Sequence, residues 1–180
     1  YLIGVPIGVL AKPTAVMFPP LLWFYVYLIE NNAALLSDGG LNLDVFKKTF
    51  KATWPAFAVC ILIYVFIVRM TPATWIPGGT SVFNYAITQP YVILHYFITL
   101  FFPFWLSADS DLVAFTSLAD TRVWLGVLFL LLLIYLMVKA CNTKQWRPVS
   151  FGIAWFLLSL VPTSSIIPLA EVTNDHRLFF

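Results

Sequence analysis

Charge is what this sequence has least of. Ten Lys+Arg and eight Asp+Glu in 180 residues make 10% charged side chains, against about 25% in an ordinary soluble domain. That excludes a water-soluble enzyme, and a net charge of +2 excludes a nucleic-acid binder working through a basic face. Cysteine is nearly absent. Cys60 lies inside an apolar run and Cys141 at the end of another, so neither has disulfide or zinc spacing. No P-loop, H-E-x-x-H, G-x-S-x-G or C-x-x-C pattern occurs, which excludes the common nucleotide, zinc-protease, serine-hydrolase and dithiol chemistries. No basic segment precedes the first apolar run, so no signal peptide is read there, and neither internal repeat nor low-complexity linker is visible.

What the chain does have is hydrocarbon. Hydrophobic residues are 61%, aromatics 18%, and mean hydropathy is +0.91. The expected fold is all-α, a polytopic transmembrane helix bundle in a lipid bilayer. A span needs roughly 17–25 residues, so the length suits about five spans plus a re-entrant or interfacial helix. Residues 1–180 read as a single membrane domain. Tyr1 already lies inside an apolar run and Phe180 follows directly on a charged stretch, so the domain is expected to be an excerpt of a longer protein, incomplete at both ends.

Clean spans are predicted over Ala52–Val68 and Val123–Val138, and a shorter one over Val149–Val161. Thr14–Ile29 is apolar but contains Pro19-Pro20, which predicts a kink. Leu43, Phe46 and Phe50, with lysines between them, suit a short helix on the membrane surface. Met70–Gln89, with Pro72, Pro77 and the pair Gly78-Gly79, reads as a loop. Tyr91–Leu106 is ambiguous. If it crosses the bilayer, the positive residues divide five against five. If it enters and leaves on one face, Lys47, Lys48, Lys51, Lys139, Lys144 and Arg147 share the cytoplasmic side, six against four. Only eleven apolar residues follow His95 as far as Leu106, and Pro103 interrupts them, which favours re-entry. Lys12, His95, Asp109, Asp111, Glu171, Asp175, His176 and Arg177 then gather on the external face.

Charges this near hydrocarbon are costly unless paired or serving an anionic ligand. In the tail, Arg177 offers a planar fork of donors suited to phosphate, with Glu171 and Asp175 beside it. The alternative is an ion-pair network that anchors the tail. Lys12, at the break Ala11-Lys12-Pro13-Thr14, either reaches a substrate phosphate or snorkels to the interface. Asp109-Ser110-Asp111 is either a D-x-D metal triplet or a solvated loop, since hard cations need more oxygens than two adjacent acids give. His95 is either a base or a hydrogen-bonded interfacial histidine.

Gln89-Pro90-Tyr91, His95-Tyr96-Phe97, Phe102-Pro103-Phe104-Trp105 and Asp109-Ser110-Asp111, followed by Ser164–Pro168 and Glu171–Phe179, occur in an order that resembles a known family. It is the membrane region of the transmembrane and tetratricopeptide-repeat proteins and their bacterial relatives, sugar transferases of the GT-C type similar to protein O-mannosyltransferases. The Lys12 break resembles a lysine-containing helix break of the same superfamily. The resemblance implies a glycosyltransferase core that moves a sugar from a polyprenyl-phosphate donor to a protein or glycan acceptor outside the cytoplasm. It implies the bacterial inner membrane, or the endoplasmic reticulum in a eukaryote. Lys12, His176 and Arg177 would bind the donor phosphate, supported by Glu171, Asp175 and His95. The catalytic base would lie in a loop upstream of Tyr1, and tetratricopeptide repeats would follow Phe180. Asp175 and Phe179 stand where the family usually has Glu and Tyr. A structural or accessory subunit of a larger membrane complex is the alternative. A transporter would need ionisable groups at mid-membrane, and the two clean spans hold no Asp, Glu, Lys, Arg or His.

Overall fold

The structure is a computed structural model that describes residues 3–35, 42–71, 80–104, 112–164 and 172–173. All regular structure among them is helical. The chain forms two compact units, Tyr1–Trp75 with Ile134–Ser159, and Ile76–Leu133 with Leu160–Phe180.

In the first unit, α1 (Gly4–Ala11) stops because a residue before proline is pushed out of the α region. Lys12 is accordingly extended, at φ −146° and ψ 114°. A 3-10 turn over Pro13–Met17 leads into α2 (Phe18–Tyr25). Pro19 and Pro20 fall in the first turn of α2, where no helical donor is lost, so the kink expected at them is replaced by a 3-10 to α transition just before them. The helix widens to a π turn over Val26–Glu30.

α3 (Leu43–Met70) is one helix of 28 residues, about 42 Å long. The separate surface helix expected over Leu43–Phe50 is its first two turns, started by the Asn42 side chain, which accepts the Val45 N–H at 3.1 Å. Pro55 removes one helical bond without ending the helix. The buried stripe of α3 is Thr49, Thr53, Ala56 and Cys60, while Ile61, Leu62, Val65 and Phe66 are exposed. A soluble amphipathic helix does the reverse. Small residues inward and large apolar residues outward is how helices pack in lipid.

Among the described residues, two apolar clusters hold this unit together. Val5 and Val9 of α1 pack on Cys60, with Ala15, Val16, Phe18, Val59, Ile63 and Ile67 around them. Tyr27 and Leu28 pack on Cys141, at the end of α5 (Thr121–Cys141). Beside the second cluster runs a polar chain. Asn31 Nδ2 donates to Thr49 Oγ1 at 3.0 Å, Arg147 Nη1 to Asn32 Oδ1 at 3.1 Å, and Arg147 Nε to the Cys141 carbonyl at 3.1 Å. The start of α3, the end of α5 and the start of α6 (Arg147–Leu160) therefore meet at one end of the unit.

In the second unit, α4 (Val82–Phe101) begins where Ser81 Oγ accepts the Asn84 N–H at 3.1 Å. The loop expected over Met70–Gln89 thus gives way to helix from Val82, and Pro90 lies inside that helix. The first part of α5 packs on α4 at Gly126, which faces the Pro90–Tyr91 peptide so closely that a Cβ there would collide with backbone atoms.

α3 and α5 are long and apolar enough to cross a membrane, and in each only 17% of the apolar window is buried. A core helix of a soluble protein would be mostly covered. The apolar helical stretch Thr14–Glu30 is shorter. α6 has 14 residues, about 21 Å, against a hydrocarbon core of roughly 30 Å. The span expected over Val149–Val161 is therefore too short to cross unaided.

Candidate functional site

Lys12 is exposed at the break between α1 and the 3-10 turn. Its N–H donates to the Gly8 carbonyl at 2.8 Å, and its own carbonyl accepts the Ala15 N–H at 2.9 Å. Gly8 and Ala15 also line an apolar cavity of about 230 Å³, with Gly4, Val5 and Phe18. The backbone on both sides of Lys12 is thus tied to the wall of a cavity that can take hydrocarbon.

His95 lies half-buried on α4, its ring 6.0 Å from that of Tyr96. It stands one turn before Thr99, on a helix whose inner face is unusually polar. Tyr85, Thr88, Gln89, Tyr96 and Thr99 are all buried there, whereas Val82, Phe83, Ile98, Leu100 and Phe101 are exposed. Tyr85 Oη donates to the Thr163 carbonyl at 2.7 Å. Thr88 Oγ1 donates to the Asn84 carbonyl at 2.7 Å and accepts the Phe115 N–H at 2.8 Å. Gln89 is 3% exposed, and among the described residues neither polar atom of its amide has a hydrogen-bond partner, nor does the buried hydroxyl of Ser164.

An ion pair marks the start of α5. Arg122 Nη2 lies 2.7 Å from Asp120 Oδ2, and the Arg122 Nε and backbone N–H both donate to Oδ1, at 3.1 and 2.9 Å. These hydrogen bonds, the side-chain ones first, hold the Asp120 carboxyl below its ordinary value. The guanidinium also sits 4.3 Å from the centre of the Phe115 ring, which lies 5.6 Å from Tyr91.

Among the described residues, no three His, Cys, Asp or Glu side chains are grouped so as to hold a metal ion. Asp109, Asp111, Glu171, Asp175, His176 and Arg177 lie outside the described residues. No known family, curated protein or solved structure matches the chain.

Sequence reasoning found Lys12 because a cation before proline interrupts an apolar run. It missed the inner face of α4. The signal was present as polar or aromatic residues at 85, 88, 89, 96 and 99, which share one side of a helix. Treating Pro90 as a boundary divided that pattern.

Proposed function

We propose that this chain is the membrane core of a GT-C-like glycosyltransferase, working at the extracytoplasmic face of a bacterial inner membrane or of the endoplasmic reticulum. A polyprenyl-phosphate-linked sugar is the donor and a protein or glycan hydroxyl the acceptor. The observation that carries this reading is Lys12. An exposed cation is held in an extended break whose flanking residues, Gly8 and Ala15, line an apolar cavity. The cation serves the phosphate and the cavity serves the isoprenoid chain.

In the reaction, the acceptor oxygen forms a bond to the anomeric carbon as the bond from that carbon to the donor phosphate oxygen breaks. The acceptor proton passes to a general base, and polyprenyl phosphate leaves. Negative charge grows on the bridging oxygen in the transition state, where Lys12 acts.

Topology supports an outward-facing Lys12. The start of α3 carries Lys47, Lys48 and Lys51. It meets the end of α5 and the start of α6, which carry Lys139, Lys144 and Arg147. The positive-inside rule makes that end cytoplasmic. α1 and the 3-10 turn instead pack around Cys60, Ile63 and Ile67, in the later half of α3. Two spans that share their cytoplasmic end must be joined by a segment starting and finishing outside, which supports reading Tyr91–Leu106 as re-entrant.

Transfer from a polyprenyl-phosphate sugar in reconstituted vesicles tests the reading. Lys12→Gln is expected to lower the rate roughly 10- to 100-fold, the weight of one charge-assisted hydrogen bond, and Arg177→Ala to act likewise. Unchanged transfer by Lys12→Gln removes Lys12 from the mechanism. The topology has its own check. Cysteines introduced at Gly79 and Asp109 are expected to react with an impermeant thiol reagent from the same, external side. Labelling from opposite sides would show that α4 crosses.

A further inference from the structure

The cytoplasmic end of α3 carries more positive charge than its own neighbours use. Lys47, Lys48 and Lys51 are exposed, and none forms an ion pair among the described residues. At 3.6 residues per turn, Phe46, Phe50 and Phe57 share one stripe of the helix. With Pro20, Trp23 and Phe24 of α2 they line a groove of about 270 Å³ that presents only apolar surface. Trp23 packs edge-on to Phe46 with ring centres 5.2 Å apart, and Phe50 lies 6.0 Å from Phe57. The groove follows α3 for about 16 Å, from the lysine-bearing turns into the apolar span.

Helix geometry separates the lysines. Lys47 and Lys51 stand about 80° and 120° round the helix from the centre of the aromatic stripe, on the same flank, and Lys48 about 180° away. The groove thus has positive charge at its mouth on one side and hydrocarbon along its length. An occupant must be anionic at one end and apolar below. A peptide does not fit, because its backbone would meet a lining with no hydrogen-bonding partner.

We propose that this groove seats one acyl chain of an anionic phospholipid of the cytoplasmic leaflet, with its phosphate held by Lys47 and Lys51. The site lies on the first half of α3, away from the Lys12 cavity, and stands whether or not the donor reading holds. Its role is to fix α2 against α3 at the leaflet surface, so that occupancy follows the anionic lipid content of the membrane.

The test is tryptophan quenching in vesicles of phosphatidylcholine that contain either phosphatidylglycerol or phosphatidylcholine with brominated chains. The Trp23 signal is taken as the difference between the wild-type chain and Trp23→Phe. Brominated phosphatidylglycerol is expected to quench it at a mole fraction roughly 25-fold lower than brominated phosphatidylcholine, about fivefold for each of the two lysines engaged. The Lys47→Gln/Lys51→Gln double variant is expected to remove that preference, and Lys48→Gln to leave it. Equal quenching by the two lipids overturns the proposal. So does a preference that survives the double variant, or one that Lys48→Gln removes equally, since either means a diffuse surface charge and no seat.

Discussion

Gly126→Ala is expected to destabilise the protein by about 3 kcal/mol, the upper part of the usual range for forcing extra volume into a packed contact. The Cβ it adds would fall on the backbone nitrogen of Tyr91 and on the carbonyl carbon and oxygen of Pro90. No side chain lies in the way that could rotate aside, so α4 and α5 must move apart. Their contact carries the Thr88–Phe115 hydrogen bond and the Arg122–Phe115 stack close by. Gly152→Ala in α6 is the matched control. A Cβ there meets nothing within 4 Å, and alanine's better helix propensity makes it neutral or stabilising by up to about 1 kcal/mol. Thermal unfolding of the two variants in detergent checks the pair. Equal midpoints would show that α4 and α5 are not in the contact described.

The same contact explains part of what the sequence left hidden. α5 was legible because Val123–Val138 is uninterrupted and bounded by Arg122 and Lys139. The membrane half of α3 was legible for the same reason. Its first two turns were not, because amphipathic spacing with lysines describes a surface helix equally well, and only the Asn42 cap and the burial of Thr49 join them to the span. α4 was misread at its start. Proline usually ends a helix, yet Pro90 is held inside one, beside a glycine on α5 whose position no local pattern reveals. Of the candidate site, the Lys12 break followed from Pro13 alone, whereas the cavity beside it depends on Gly4 and Gly8 facing Ala15 and Phe18. The bond from Arg147 to Asn32 joins residues 115 positions apart, and a single sequence gives no means of pairing them.

Tyr27→Ala is expected to cost the most of any single truncation in the first unit, about 3–5 kcal/mol as for large aromatic deletions in cores. Tyr27 is fully buried, packs with Leu28 and Cys141, and stacks on Trp23 with ring centres 4.8 Å apart and 14° between planes. Its hydroxyl donates to the Ala34 carbonyl at 3.1 Å, which holds the chain after the π turn. Tyr27→Phe loses only that bond and is expected to cost about 1 kcal/mol. The gap between the two variants measures the ring, and denaturation in detergent reads it. The ring also matters to its neighbour. Trp23 uses one face on Tyr27 and an edge on Phe46, so removing Tyr27 frees Trp23 to turn and closes or widens the groove between α2 and α3. Tyr27→Ala should therefore change Trp23 fluorescence even where the protein remains folded, and Tyr27→Phe should not. Equal stability of the two variants would mean that the stack contributes nothing and that the basic end is held by its polar chain alone.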